Sequence, residues 1–153
     1  MSLVWSAFRF DELTTRVFHD MIALRIAVFV VEQNCPYQEL DGKDLYSIHI
    51  IGRNEHSEIV AIARIVPPSE SYKLPSIGRV IIAPNFRSKG IGHELMQEAV
   101  RVTSVEYGEA DIVLSAQAHL EKFYENHGFQ STGKAYLEDG IPHVEMIKKN
   151  KTL

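Results

Sequence analysis

A short basic and glycine-containing stretch, Arg87-Ser88-Lys89-Gly90-Ile91-Gly92, has the residue types and spacing of an anion-binding turn. It follows the β-branched run Val80-Ile81-Ile82 and opens a segment with helical periodicity. Free backbone N–H groups and the dipole at a helix N-terminus both favour an anion. The two glycines lack a Cβ, so the backbone can approach phosphate oxygens closely, and the arginine and lysine add positive charge. The turn therefore predicts a pyrophosphate site.

The spacing of this turn differs from two better-known phosphate loops. A P-loop requires Gly-x-x-x-x-Gly-Lys followed by Ser or Thr, and a dinucleotide-binding turn requires Gly-x-Gly-x-x-Gly. The chain contains neither pattern. The alternative interpretation is a solvated helix cap, because Lys and Arg are mostly exposed residues.

The composition is that of an acidic globular protein. The chain has 153 residues, of which 45% are apolar and 24% charged, and its formal net charge is −4. This length and apolar content predict a single domain over residues 1–153 with its own hydrophobic core. The negative charge predicts no nucleic-acid partner, because the basic residues are a local feature and not an excess.

Cysteine content and hydropathy predict the compartment. The single cysteine, Cys35, forms no internal disulfide, which is typical of a reducing environment. No stretch approaches the roughly 18 apolar residues of a membrane span. The first ten residues lack the basic and apolar regions of a signal peptide. We expect a cytoplasmic protein with no membrane partner.

Apolar periodicity and turn residues predict strands and helices in the order β-α-β-β-β-α-β-α-β-β. The predicted strands cover residues 4–10, 46–51, 59–66, 77–82, 111–115, 129–137 and 143–147. The predicted helices are a first one that Asp11 caps and that ends within residues 27–31, then 89–106 and 118–126. Hairpins at both ends with β-α units between them predict an α/β fold with a mixed sheet.

Two signatures of the chain resemble the GNAT family of N-acetyltransferases. The segment Pro84-Asn85-Phe86-Arg87-Ser88-Lys89-Gly90-Ile91-Gly92 resembles the family's pyrophosphate-binding segment. The segment Leu120-Glu121-Lys122-Phe123-Tyr124-Glu125-Asn126-His127-Gly128-Phe129 resembles its second signature, a helix that bears a Tyr and ends at Gly-Phe. Longer strings, among them Ala116-Gln117-Ala118-His119-Leu120 and Asp139-Gly140-Ile141-Pro142-His143, resemble the ElaA-like branch. The resemblance covers essentially the whole chain and implies a GNAT-like fold, a mixed central sheet flanked by helices.

The resemblance also implies acetyl-CoA as co-substrate and a primary amine as acceptor. It places the strand Val80-Ile81-Ile82 along the pantetheine arm and the amides of Arg87 through Gly92 around the pyrophosphate. Gln117 stands where many relatives have Asn beside the pantetheine. Tyr124 stands where the family has the group that protonates the departing thiolate, although an aromatic residue packed on the sheet is the alternative for it.

Direct attack of an amine on a thioester sets three chemical tasks. The amine must lose its proton, since a lysine-like amine has a pKa near about 10.4. The oxyanion needs a donor, for which a strand N–H such as that of Ile82 is suited. The thiolate needs an acid within hydrogen-bond reach, the role expected of Tyr124.

The sequence identifies no single general base, because the strand at residues 77–82 contains no carboxylate. Glu32, His49, His119 and His143 are the candidates, and each also has a structural explanation such as a cap or a hydrogen-bonded side chain. We favour His143, because it follows Pro142 in the last hairpin, where it can line an acceptor cleft.

Other reactive residue types predict structure and not chemistry. Glu39, Asp41 and Asp44 form an acidic loop that we expect to be a solvated surface, with attraction of a cationic acceptor as the alternative. Cys35 has no base beside it and is expected to be structural. The histidines lack ligand spacing, so no metal is predicted.

The expected activity is acetyl transfer to a small-molecule or peptide amine. A different class of function remains open, a CoA-binding sensor or partner-binding module that keeps the fold without turnover, because no base is evident. Transfer of a longer acyl group is a third possibility. The sequence leaves the acceptor and the oligomeric state open, a homodimer included.

Overall fold

A seven-stranded mixed sheet is the frame of the molecule, in the order β1-β2-β3-β4-β5-β7-β6. The computed structural model describes residues 2–70 and 72–150. The strands are β1 Val4–Arg9, β2 Ile48–Arg53, β3 Ile59–Val66, β4 Ser76–Ile82, β5 Ile112–Gln117, β6 Phe129–Glu138 and β7 Ile141–Lys148. The helices are α1 Thr15–Arg25, α2 Ile91–Tyr107 and α3 Glu121–Glu125.

The two central strands of the first half, β2 and β3, are apolar along nearly their whole length. Both are buried because helices cover both faces of the sheet, which explains continuous apolar runs in place of alternation. Successive side chains of β3 point to opposite faces. Ala61, Ala63 and Ile65 join the core under α2, whereas Ile62 joins the core under α1. The sheet is therefore packed as a middle layer between helices.

Strand β4 carries a bulge. Arg64 of β3 pairs with Gly78, whereas Ile62 pairs with Ile81, so β4 has one more residue than β3 over this stretch. Arg79, within the bulge, has a φ of 52°, which is rare for a residue other than glycine. The bulge changes the direction in which the following part of β4 runs.

Strands β4 and β5 are parallel neighbours that stay together only at their start. Ser76 pairs with Val113, and no further pair follows along the described strands. The two strands therefore diverge and leave a wedge-shaped slot in the middle of the sheet. On its other side β4 stays joined to β3, where the N–H of Ala83 donates to the carbonyl of Val60 at 2.8 Å. Because neighbouring residues of a strand direct their N–H and C=O groups to opposite sides, those of Val80 and Ile82 face the slot.

The order of elements and the mixed sheet agree with the sequence prediction, but three local features differ. Asp11 was expected to cap α1, but the cap is Thr14, whose Oγ1 accepts a hydrogen bond from the N–H of Val17 at 3.1 Å. The helix does not end within residues 27–31, because it continues as a π-helical segment, Ile26–Glu32. Strand β2 begins at Ile48 and not at residue 46, because Lys43–Tyr46 form a 3-10 turn. In the described part of the chain, no helix is long and apolar enough to cross a membrane.

Candidate active site

Two clefts open on the slot between β4 and β5. The turn-side cleft, about 580 Å³, is lined by the Arg87–Gly92 turn and by the starts of α2 and α3. The hairpin-side cleft, about 400 Å³, is lined by the loop after the π-helical segment and by the β6–β7 turn. They share six lining residues, Phe29, Gln33, Val80, Gln117, Leu120 and Tyr124. A molecule bound in one cleft can therefore reach a molecule bound in the other.

The turn before α2, for which the sequence predicts anion binding, contains two residues in the left-handed region. Gly90 is the N-terminal cap of α2 with a φ of 79°, and Ser88 has a φ of 64°. A Cβ on Gly90 would meet nothing within 4 Å, so the glycine is required by its conformation and not by space. A Cβ on Gly92 would lie 3.4 Å from two ring carbons of Phe123. This is an ordinary van der Waals distance, so packing against α3 does not by itself require glycine at position 92, and its part in the turn stays a prediction.

The two basic residues of the turn are held differently. Arg87 forms a two-pronged ion pair with Glu32, with Nη1 and Nη2 at 2.8 and 3.0 Å from the carboxylate oxygens. Its Nε donates to the carbonyl of Ile82 at 3.0 Å. Lys89 lies with Nζ 5.8 Å from the ring centre of Phe86. The turn thus presents one cation already paired with an anion and one that lies over an aromatic ring.

Tyr124 lies where the two clefts meet. It is buried, and its ring packs edge-on against Phe123 and Phe129 with centroids 5.0 and 6.3 Å away. Burial raises the pKa of Tyr124 to about 12, and its hydroxyl has no hydrogen-bond partner among residues 2–70 and 72–150. The phenol is therefore protonated at neutral pH and free to donate. Gln117, at the end of β5, donates from Nε2 to the side-chain oxygen of Gln33 at 3.3 Å.

His143 lines the hairpin-side cleft one strand away from Gln117, its cross-strand partner. Its Nδ1 donates to the carbonyl of Ile141 at 2.7 Å, because a carbonyl can only accept. Its Nε2 lies 3.3 Å from the carboxylate of Glu138. The ring also stacks on Tyr136, with centroids 6.1 Å apart. These contacts fix the ring, with Nδ1 bonded to the carbonyl and Nε2 beside the Glu138 carboxylate, so a proton exchanged by this ring passes through Nε2.

The other three candidate bases are placed less well. His49 is buried away from both clefts, its Nε2 lies 3.0 Å from the carbonyl of Asp44, and burial lowers its pKa, so the prediction that it could be the base is wrong. The hydrogen bond from Arg87 lowers the pKa of Glu32, which makes that carboxylate a weaker base. His119 is exposed and lines the turn-side cleft, so it remains a candidate.

The acidic loop is not the solvated surface that its composition suggested. Glu39 and Asp44 are buried against Arg25, which is 1% exposed. Arg25 donates from Nε to Glu39 at 2.6 Å, and from Nη1 and Nη2 to Asp44 at 2.7 and 3.1 Å. Burial alone would raise the pKa of Asp44, but hydrogen bonds and charge from Arg25 and Arg64 lower it overall.

Two further arginines complete this ion cluster, which we define as Arg25, Arg64 and Arg79 with Glu39, Asp41 and Asp44. Arg64 forms a two-pronged pair with Asp41 at 2.9 and 3.0 Å. Arg79 donates from Nε to Glu39 at 2.8 Å. Although burial opposes ionisation of Asp41, hydrogen bonds from Arg64 and from the N–H of Lys43 lower its pKa to about 2. The cluster pins the loop onto β3 and β4.

The sequence contains one signal for this cluster. Arg64 lies inside the otherwise apolar run of β3, Ile59–Val66. A charged residue in a fully buried strand requires a buried partner. The acids of residues 39–44 were available for that role, so the loop could have been placed against β3.

Cys35 is buried beside the hairpin-side cleft, and its Sγ lies 3.4 Å from the carbonyl oxygen of Asp139. It thus connects the acidic loop to the β6–β7 turn, which is a packing role. Across residues 2–70 and 72–150, the structure contains no group of three or more His, Cys, Asp or Glu side chains arranged to hold a metal ion.

Comparison with known proteins agrees with this architecture. The sequence model of the Acetyltransferase (GNAT) domain family matches residues 19–150. An acyl-CoA N-acyltransferase from Pseudomonas aeruginosa is 37% identical, has a TM-score of 0.90, and the match covers 96% of this chain and 99% of that one. The crystal structure of Escherichia coli ElaA is 38% identical with a TM-score of 0.90, covering 97% and 100% of the two chains.

The chain therefore belongs to the GNAT acetyltransferase family, with the mixed sheet and flanking helices of its acyl-CoA N-acyltransferase structures. Its place within that family is the ElaA-like branch. Protein ElaA of Escherichia coli is 39% identical over 147 residues, 95% of each chain. A UPF0039 protein of Synechocystis sp. is 40% identical over 147 residues, 96% of each chain.

Proposed function

We propose that this protein transfers an acetyl group from acetyl-CoA to a primary amine of a small molecule or peptide. The observation that carries the proposal is the meeting of two clefts at Tyr124, one built around an anion-binding turn and the other lined by a fixed histidine. One cleft then takes the donor and the other the acceptor, with the thioester in the slot between β4 and β5.

The donor is bound mainly by backbone groups. The pantetheine arm lies along β4 as an added strand, bonded by the N–H and C=O groups of Val80, which leaves the N–H of Ile82 for the thioester oxygen. The carbonyl of Ile82 already accepts from Arg87. The pyrophosphate sits against the amides of residues 87–92, with Lys89 as the cation that has no ion pair among the described residues. Gln117 contacts the arm from β5.

The chemistry uses groups on both sides of the slot. His143 takes a proton from the acceptor ammonium, directly or through one water. The neutral amine attacks the thioester carbon, and the developing oxyanion is stabilised by the N–H of Ile82. The new C–N bond forms as the C–S bond breaks. Tyr124, which is protonated at neutral pH and whose hydroxyl has no hydrogen-bond partner among the described residues, gives its proton to the thiolate.

Two further points belong to the proposal. The free cysteine, Cys35, is in keeping with a reducing compartment, so we place the reaction in the cytoplasm. Residues 1–153 act as one domain, because segments from the first and the second half of the chain together line the hairpin-side cleft.

The test is release of CoA from acetyl-CoA with a panel of primary amines, in the wild type and in Tyr124→Phe. We expect kcat to fall about 100-fold in the variant with an unchanged acetyl-CoA dissociation constant. Tyr107→Phe is the matched control, since Tyr107 at the end of α2 lines neither cleft. Binding of acetyl-CoA without turnover of any amine would favour a sensor or partner-binding module. Faster reaction with longer acyl-CoA chains would replace acetyl as the transferred group.

A further inference from the structure

Arg79 is held in an unusual way beside the slot. It occupies the β4 bulge with a φ of 52°, a left-handed conformation that is unfavourable for a residue with a side chain. Backbone strain of this kind concentrates at binding and catalytic sites. The side chain lines the hairpin-side cleft directly before Val80, which both clefts share. A strained residue therefore points to a function in that cleft.

The Arg79 guanidinium is held in place by several contacts, but some of its N–H donors have no strong hydrogen bond. Nε donates to Glu39 at 2.8 Å, and the rings of Phe29 and Tyr37 lie with centroids 5.9 Å from Cζ. Nη2 has only two long contacts of 3.5 Å, to the backbone carbonyl of Glu39 and to the carboxylate of Asp41. Nη1 has no partner in the described ranges and is not among the buried unpaired atoms, so solvent or a ligand can reach it. A preorganised cation thus keeps a free pair of hydrogen-bond donors.

Next to Arg79 the cleft has room and a second unused donor. Gly78 also lines the cleft, and a Cβ built on it would meet nothing within 4 Å. Its cross-strand partner is Arg64, which is 5% exposed and whose Nε is buried without a hydrogen-bond partner in the described residues. The ion cluster is balanced in charge, with three arginines and three acids, but its donors outnumber its acceptors. This wall of the hairpin-side cleft therefore has unused hydrogen-bond donors and could bind a ligand with hydrogen-bond acceptors.

The opposite wall of the hairpin-side cleft is acidic. Glu138 and Asp139, at the β6–β7 turn, are exposed carboxylates that line the same cleft beside His143. Strand β5 lies between the two walls in the sheet. Cationic donors on one side and carboxylates on the other suit a ligand that carries both an ammonium and an anion.

We infer that the acceptor is an amino-carboxylate, whose carboxylate is bound by the free end of Arg79 while its ammonium lies towards the hairpin wall and His143. The inference rests on the proposed function and adds the substrate class to it. Guanidinium and carboxylate form short charge-assisted hydrogen bonds, which are stronger than neutral ones. Loss of one such contact is expected to cost about tenfold or more in kcat/KM.

The experiment compares acceptors that differ only in the carboxylate. CoA release is measured with L-phenylalanine against 2-phenylethylamine and with L-lysine against 1,5-diaminopentane. We expect the amino acid of each pair to have at least about tenfold higher kcat/KM in the wild type. In Arg79→Gln this ratio falls to about one, and because both acceptors are measured on one preparation, a general loss of folded protein does not change the ratio. Arg101→Gln, an exposed arginine of α2 outside both clefts, keeps the wild-type ratio.

A binding measurement separates failure of this inference from failure of the proposed function. With CoA present, N-acetyl-L-phenylalanine is expected to bind at least about tenfold more tightly than N-acetyl-2-phenylethylamine in calorimetry, a preference lost in Arg79→Gln. This readout requires no turnover, so it decides the inference even if no amine is acetylated. Equal affinity for the two compounds, or equal kcat/KM within each acceptor pair, would overturn the amino-carboxylate assignment.

Discussion

The two clefts that meet at Tyr124 differ in the groups that they offer to a ligand. In the turn-side cleft, the backbone groups that we propose bind the donor come from contiguous stretches, the end of β4 and the turn that opens α2. The hairpin-side cleft offers side chains from segments far apart in sequence, and the ion cluster holds its loop in place. A backbone site suits a ligand common to a family, because many sequences can form it. A side-chain site suits a ligand that differs between members, because single substitutions change it.

The largest expected effect is on the stability of the fold, when the ion cluster beside the hairpin-side cleft is broken. Arg25→Met leaves the buried carboxylates of Glu39 and Asp44 without their main partner, which destabilises the fold by about 3–5 kcal/mol. Urea denaturation measures the change, with Arg101→Met as the exposed control, whose stability should stay close to that of the wild type. At a temperature where the variant is folded, its acetyl-CoA affinity should be unchanged. Weakened acetyl-CoA binding would mean that the two clefts are not independent.

A substitution in the turn-side cleft tests the other half of the comparison. Gly90→Ala forces a side chain into a φ of 79°, which costs about 1–2 kcal/mol in stability. It also distorts the amides that we propose bind the pyrophosphate, so we expect acetyl-CoA to bind about tenfold more weakly in calorimetry. Gly42→Ala is a matched control with a φ of 83° in the acidic loop. It should lose similar stability and keep its acetyl-CoA affinity, and equal losses of affinity in both variants would contradict the assignment of the turn.

A pH experiment sharpens the account of the ion cluster. Asp41 has a pKa of about 2 in the folded chain against an ordinary value of 3.8, so its contribution to stability is present above pH 3.8 and is lost as the pH falls towards 2. Asp41→Asn should therefore lose less stability than the wild type between pH 5 and pH 2. Urea denaturation across that range measures the difference. Parallel curves would show that the Arg64 contact does not set this pKa.

The smallest expected effect concerns the Arg87–Glu32 pair. Glu32→Gln removes the carboxylate that competes with an anion for Arg87. An exposed pair is worth at most about 1 kcal/mol, so acetyl-CoA should bind up to about fivefold more tightly. Calorimetry at low and high salt measures it, and Glu106→Gln, which breaks the exposed pair with Arg9, is the control. Weaker binding would instead make Glu32 part of the donor site.

The turn-side cleft could be predicted from the sequence more fully than the hairpin-side cleft. The order of the strands and the position of the Arg87–Gly92 turn could be predicted, because they depend on local features. Runs such as Val80-Ile81-Ile82 and single glycines act on the backbone within a few residues. The ion cluster joins residues that are 14 to 40 positions apart, so no local window contains both partners. The bulge at Arg79 was hidden for a related reason, because it is defined by pairing with β3 and not by its own sequence.

Tyr124 illustrates an intermediate case. Its place on a short helix was predicted, but its unpartnered hydroxyl between two clefts depends on how α3 packs against the end of β5. The π-helical segment Ile26–Glu32 was missed because its β-branched residues favour a strand locally, whereas packing on the sheet keeps the chain helical.

The divergence of β4 and β5 has a consequence for self-association. Unpaired strand groups usually lie at the outer edge of a sheet, where they allow a strand of another molecule to add and aggregation to begin. Here they lie inside the sheet, between strands joined at Ser76 and Val113, so the gap narrows to a closed end. A full-length strand from a neighbouring chain does not fit such a wedge. The protein can therefore keep bonding groups open to a slender ligand without adding an edge that invites polymerisation.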